Sequence, residues 1–233
     1  MSKKNIWVKM MTKLEKSIQK YYSDFKKNFN KKNFPAVFNK IEKHNAEEKR
    51  GKEHDLGSFV ILYTPVRYKP NIMLIGNNPS WFHKKDPETG YKIVQELMKS
   101  PPKESSYIVH NHVFAQSMQR IFGYVGRRDL LETCVGMNRL WLQTGSNYGS
   151  WNTVCNERSW KLGQSLTEYC ENKTKEIIKL IKPKVVLLIG QKAWDLFQSD
   201  ERPSNIKCVD YPYSTGNISL QQDLEKIIQT EIE

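Results

Sequence analysis

Two short apolar runs constrain this chain most: Ile72-Met73-Leu74-Ile75 and Val185-Val186-Leu187-Leu188-Ile189. Each begins two residues after a proline, Pro70 or Pro183, and each is closed by a glycine, Gly76 or Gly190. Runs this short, apolar at every position and bounded by breakers, read as strands buried on both faces. Strands of that kind belong to a parallel sheet with helices on both sides. The second run sits in a helix–Pro–strand–Gly–helix succession. Its leading helix is predicted over 161–182, with Leu162, Leu166, Tyr169, Cys170, Ile177, Ile178 and Ile181 inward, and Ala193, Trp194 and Phe197 mark the helix that follows. This is half of a βα repeat, so the expected class is α/β: a three-layer sandwich around a mainly parallel sheet.

The rest of the chain fits around these runs. Ile6, Met10, Leu14, Ile18 and Tyr22 form one helical stripe, which Phe34-Pro35 interrupts and Val37, Phe38 and Ile41 resume. A basic helical extension over 1–57 is therefore expected to pack on an α/β domain over 58–233. Phe59 to Tyr63 reads as a further strand, and 83–90 as a turn-rich insertion. Helices are predicted over 91–99, 112–123 and 219–232. A strand is read within 134–144, a Gly/Ser/Asn loop over 145–153, and a last strand opening at Val209.

Charge narrows the partners. Residues 1–53 hold 15 Lys and Arg against 6 Asp and Glu, and so carry nine of the chain's twelve net positive charges. A basic protein of this kind suits a polyanion, above all DNA, although a solvated lysine face accounts for the same numbers. No stretch is apolar enough to span a membrane, and Lys3 and Lys4 lead into no apolar core of a secretory signal, so a cytoplasmic or nucleoid-associated monomer is expected. Cys134, Cys155, Cys170 and Cys208 include no Cys-x-x-Cys pair, which argues against a structural metal site or a disulfide framework.

The first run leads into Gly76-Asn77-Asn78-Pro79-Ser80-Trp81-Phe82-His83. Carboxamides, a hydroxyl, aromatic rings and an imidazole past the C-terminal end of a buried strand are what an open α/β sheet uses to hold a ligand. Asn is also an ordinary turn residue, so a plain strand-to-loop turn remains the alternative.

Three pieces together resemble the uracil-DNA glycosylase superfamily. Ile72 through Ser80 is similar to its first motif, a strand ending in Gly-x-x-Pro. Cys170 through Gly190 is similar to the stretch before its last catalytic segment. Tyr211-Pro212-Tyr213-Ser214 stands at its second motif, where many members carry His-Pro-Ser and Tyr211 here replaces the His. Asn78 together with Tyr211 resembles most the thymine/mismatch-specific branch.

The resemblance implies a fold and a chemistry. It implies a monofunctional DNA glycosylase that flips a uracil or a mismatched pyrimidine; the lengths of the 83–90 insertion and the 145–153 loop, with the missing His, leave open a modified pyrimidine, including a bulky cytosine derivative of viral DNA. Base excision of that kind serves DNA repair or antiviral defence. No metal or other cofactor is needed. Asn78 would hold a water beneath the anomeric carbon, and Tyr211 would take the electrophile's place, the two together forming the catalytic pair. Gly76, Asn77, Pro79, Ser80, Trp81, Phe82 and His83 would line the pocket, with Trp81 or Phe82 stacking on the base. Asn138 would read the pyrimidine edge from a central strand, or serve as a buried structural Asn. Pro212, Tyr213, Ser214 and Thr215 would meet the DNA, as would Arg127 and Arg128 near the end of the 112–123 helix. His110 and His112 are further possible donors. The rival is a catalytically silent nucleic-acid-binding module on the same fold, which the missing His favours. A nucleotide-binding α/β enzyme is a third reading, but no Gly-x-Gly-x-x-Gly or P-loop pattern is present.

Overall fold

The computed structural model describes residues 3–47, 57–77, 87–110, 113–143, 149–197, 202–209 and 218–232. Four strands, β1 (Ile72–Gly76), β2 (Val135–Asn138), β3 (Val185–Ile189) and β4 (Ile206–Val209), form one sheet in the order β2-β1-β3-β4. All neighbours pair in parallel, with Gly76 opposite Asn138, Leu74 opposite Leu187, and Leu188 opposite Cys208.

Alternate strand residues enter two separate cores, which explains the unbroken apolar runs. Met73, Ile75, Val135, Met137, Val186 and Leu188 pack with the helices α1 (Lys3–Asn28), α2 (Pro35–Glu47), α7 (Gly149–Asn156) and α8 (Leu166–Ile181). Ile72, Leu74, Val185, Leu187, Ile189 and Val209 pack on the other face. Their partners there are α3 (Pro87–Leu97), α4 (Ser106–Val109), α5 (Val113–Tyr124), α6 (Arg128–Thr133) and α10 (Ile218–Glu231). The chain moves from β1 outward to β2, then back past β1 to β3. Right-handed crossovers oblige those two connections to use opposite faces, and they do. Among the described residues no helix is long and apolar enough to cross a membrane.

Several elements differ from their expected limits, each for a local reason. The helix expected over 161–182 starts at Leu166, because Ser165 and Glu168 close a reciprocal capping box, and it ends at Lys182 in the left-handed region (φ 57°) before Pro183. The stretch 145–153 is not all loop. Gly149 opens α7, which buries Trp151 and Cys155 one turn apart. The strand expected from Val209 instead ends there; Ile206 and Val209 are its buried residues. Phe59 to Tyr63 lies antiparallel beside β2 but only Phe59 and Leu62 form bridges, to Leu142 and Met137. The Leu62 N–H is diverted to the buried Tyr22 hydroxyl at 3.1 Å, which breaks the ladder. The short helices α4 and α6 were not legible as elements at all, whereas the helix expected after the second apolar run is α9 (Gln191–Trp194), which stops at Asp195 before reaching Phe197.

Candidate functional site

Strand order locates the site. β1 leaves the sheet toward β2, whereas β3 leaves it toward β4, so the connections diverge at the C-terminal ends of β1 and β3. That divergence opens the crevice in which open α/β sheets bind ligands. Gly76 and Asn77 end β1 on one side, and Ile189 and Gly190 end β3 on the other. The exit from β2 folds across the end of β1: the Arg139 and Leu140 N–H groups donate to the Gly76 and Asn77 carbonyls, both at 2.8 Å.

Asn138 is the polar side chain built most deliberately into this edge. It is 7% exposed, and its Nδ2 donates to the Tyr63 hydroxyl at 2.7 Å. Its Oδ1 lies over Gly76, where a methyl group on that residue would come within 2.6 Å of it. Glycine at 76 is therefore a requirement of the carboxamide, not only of the turn. Gly136, two residues earlier on β2, gives the same kind of room to the Tyr107 ring. Tyr107 in turn stacks on Tyr63 with ring centroids 6.2 Å apart. Burial holds the Tyr63 hydroxyl far above the ordinary phenol range, against the opposing effect of its bond from Asn138. The phenol thus stays neutral and fixes the amide orientation.

On the opposite face of β2 the next residue, Arg139, is buried as a cation. Its guanidinium meets Glu171 of α8 at 3.0 Å and Asp195, which caps α9, at 3.5 Å. Burial raises the Glu171 carboxyl above its usual range, and Arg139 pulls it back down. Asp195 is 59% exposed and contributes less. The pair ties the end of β2 to α8 and to the helix after β3, and so braces both banks of the crevice. Nothing in the sequence alone gives Arg139 a role. Its partners are 32 and 56 positions away, and no local signal marks them.

Of the predicted site residues, Gly76, Asn77 and Asn138 come together here. Arg127 and Arg128 lie at the start of α6, which feeds β2 from its other end, and Arg127 is held by Asp129 at 3.1 Å. Asn78, Pro79, Ser80, Trp81, Phe82, His83, His112, Tyr211, Pro212, Tyr213, Ser214 and Thr215 lie outside the described residues. The described ends of β1 and β4, Gly76 and Val209, lie at the same edge of the parallel sheet as Asn138. Among the described residues no three His, Cys, Asp or Glu side chains converge as metal ligands. All four cysteines are free thiols. No family model matches the chain, and no curated protein matches it.

Proposed function

We propose that this chain is a monofunctional DNA glycosylase on a uracil-DNA glycosylase-like three-layer sandwich, hydrolysing the N-glycosidic bond of an everted pyrimidine. One observation carries the reading: the Asn138 carboxamide, locked by Tyr63 across Gly76, at the strand edge from which the Asn77-Asn78-Pro79 segment departs.

The chemistry follows from that placement. With its Nδ2 engaged by Tyr63, Asn138 presents Oδ1 as an acceptor. An acceptor there suits a base with an N3–H, such as uracil or thymine, and leaves the bare N3 of cytosine without a donor. Asn78 holds a water beneath the sugar. As the glycosidic bond breaks, its electron pair departs with the base, and the water oxygen bonds to the anomeric carbon. One proton of the water stays on the new sugar hydroxyl, and the other is released through solvent as the departing base takes up a proton. Asn78 is a weak base, but an oxocarbenium-like carbon needs a positioned nucleophile more than a strong one. Tyr211 occupies the place of the second-motif His. The same substitution favours the second reading, a nucleic-acid-binding module without catalysis.

The test is base release from duplexes carrying uracil, mismatched thymine or modified cytosine. Wild type should leave abasic sites, and Asn78→Ala and Asn138→Ala should each lose at least a hundredfold in single-turnover rate. Salt-sensitive binding with no base released from any substrate would replace this reading with the silent module.

A further inference from the structure

We propose that α1 carries a second nucleic-acid contact surface, separate from the strand edge: a straight row of lysines that tracks a phosphate backbone. It does not depend on base excision. At about 100° per residue, Lys9, Lys13, Lys16, Lys20 and Lys27 fall within about 40° of one line along the helix, over about 27 Å. The buried residues Leu14, Ile18, Tyr22 and Phe25 lie on the diametrically opposite face. The row therefore points straight away from the body, and all five lysines are exposed. Asp24 flanks the row, one turn from Lys20 and from Lys27, yet among the described residues none of the five lysines makes an ion pair. Three lysines elsewhere do carry a carboxylate partner: Lys31 with Glu42, Lys99 with Glu96 and the half-buried Lys173 with Glu176.

The row also reaches the right end of the molecule. α8 returns from the C-terminal edge of the sheet, and its Thr174 donates to the Asn138 carbonyl at 3.4 Å, marking that level. Phe25 packs on Tyr169, earlier on α8, while Tyr21 lies by Glu176, later on it. α1 thus runs antiparallel to α8, with Lys27 toward the candidate site and Lys9 toward the far end. An anionic membrane is the poorer fit. An interfacial helix must insert its apolar face, and from Leu14 to Phe25 that face is committed to the core, although Trp7 and Val8 at the start of α1 stand exposed.

The test uses a 20-base-pair duplex with no lesion and the full chain, with binding read by fluorescence anisotropy between 50 and 200 mM KCl. Replacing the five lysines by Gln should flatten the log–log salt slope by about 4 and weaken binding at least tenfold at 0.1 M salt. The five Lys→Arg replacements should restore both. A control set that removes five dispersed exposed lysines, Lys103, Lys179, Lys184, Lys192 and Lys226, should change the slope far less. An unchanged slope in the row variant would overturn the proposal, as would an equal loss in the control set. So would loss of binding to phosphatidylserine vesicles while duplex binding persists. Because no base is released here, a failed excision assay leaves this result standing.

Discussion

Asn138 and Tyr63, 75 positions apart, share a 2.7 Å hydrogen bond that sets which way the Asn138 carboxamide faces at the strand edge. Replacing Tyr63 by Phe deletes only the hydroxyl. The buried Nδ2 then loses its acceptor, and stability should fall by about 1–3 kcal/mol. The freed amide can turn, so discrimination between uracil and cytosine should weaken more than the rate on uracil. Urea denaturation alongside single-turnover kinetics on both bases checks the two parts separately.

Gly76 answers to the same carboxamide. A methyl group at 76 would sit 2.6 Å from the Asn138 Oδ1 and must displace it, because the backbone of β1 is held on both sides. Gly76→Ala should cost about 1–3 kcal/mol. In an Asn138→Ala background most of that cost should vanish. A double-mutant cycle therefore reads the contact directly, and additive losses would contradict it.

Arg139 is 5% exposed at its side chain and faces Glu171 and Asp195. Arg139→Ala leaves the Glu171 carboxylate buried without its cation and should destabilise by about 3 kcal/mol. Glu171→Gln in the same chain should recover part of the loss, since the stranded charge is gone. Thermal unfolding of the single and double variants tests this.

Alkaline pH should unfold the protein early. Burial pushes the Cys134 and Cys155 thiols up from 9.0 to about 12, and raises that of Cys170 as well. In each case the unfolded thiol ionises first. Their contribution is complete below pH 9 and is lost as pH rises toward the folded value. Stability should fall by up to about 1.4 kcal/mol per pH unit for each such thiol. Tyr22 and Tyr63, also raised by burial, add to the loss above pH 10. Denaturation midpoints between pH 8 and 10.5 should show a plateau and then a steepening decline. In a Cys134→Ala/Cys155→Ala variant the decline should be shallower.

What the sequence revealed, and what it hid, follows from where each signal lies. β1 and β3 are legible because both faces are buried, which forces an unbroken apolar run. β4 escapes because Lys207 and Cys208 are only half buried at the sheet edge. α7 hides behind Gly149, Ser150 and Asn152, although Trp151 and Cys155 at one-turn spacing were the clue to its buried side. The Ser165–Glu168 box was visible as Ser-x-x-Glu and marks the true start of α8. Asn138 stood out as a polar residue within an apolar stretch. Its partner Tyr63 did not, because Tyr63 looks like the end of an ordinary strand and the pairing is made only by the tertiary fold. The Arg139 bridge is hidden for the same reason.

In the function proposed here, the carboxamides at the ends of β1 and β2 hold an everted nucleotide and position the water that releases its base. Single-turnover release of free base from a uracil-containing duplex, measured for wild type and for Asn78→Ala, tests it most directly. Wild type should release base stoichiometrically and leave an abasic site, with release at least a hundredfold slower from the variant. Equal rates from the two proteins, or no base from either, would contradict it.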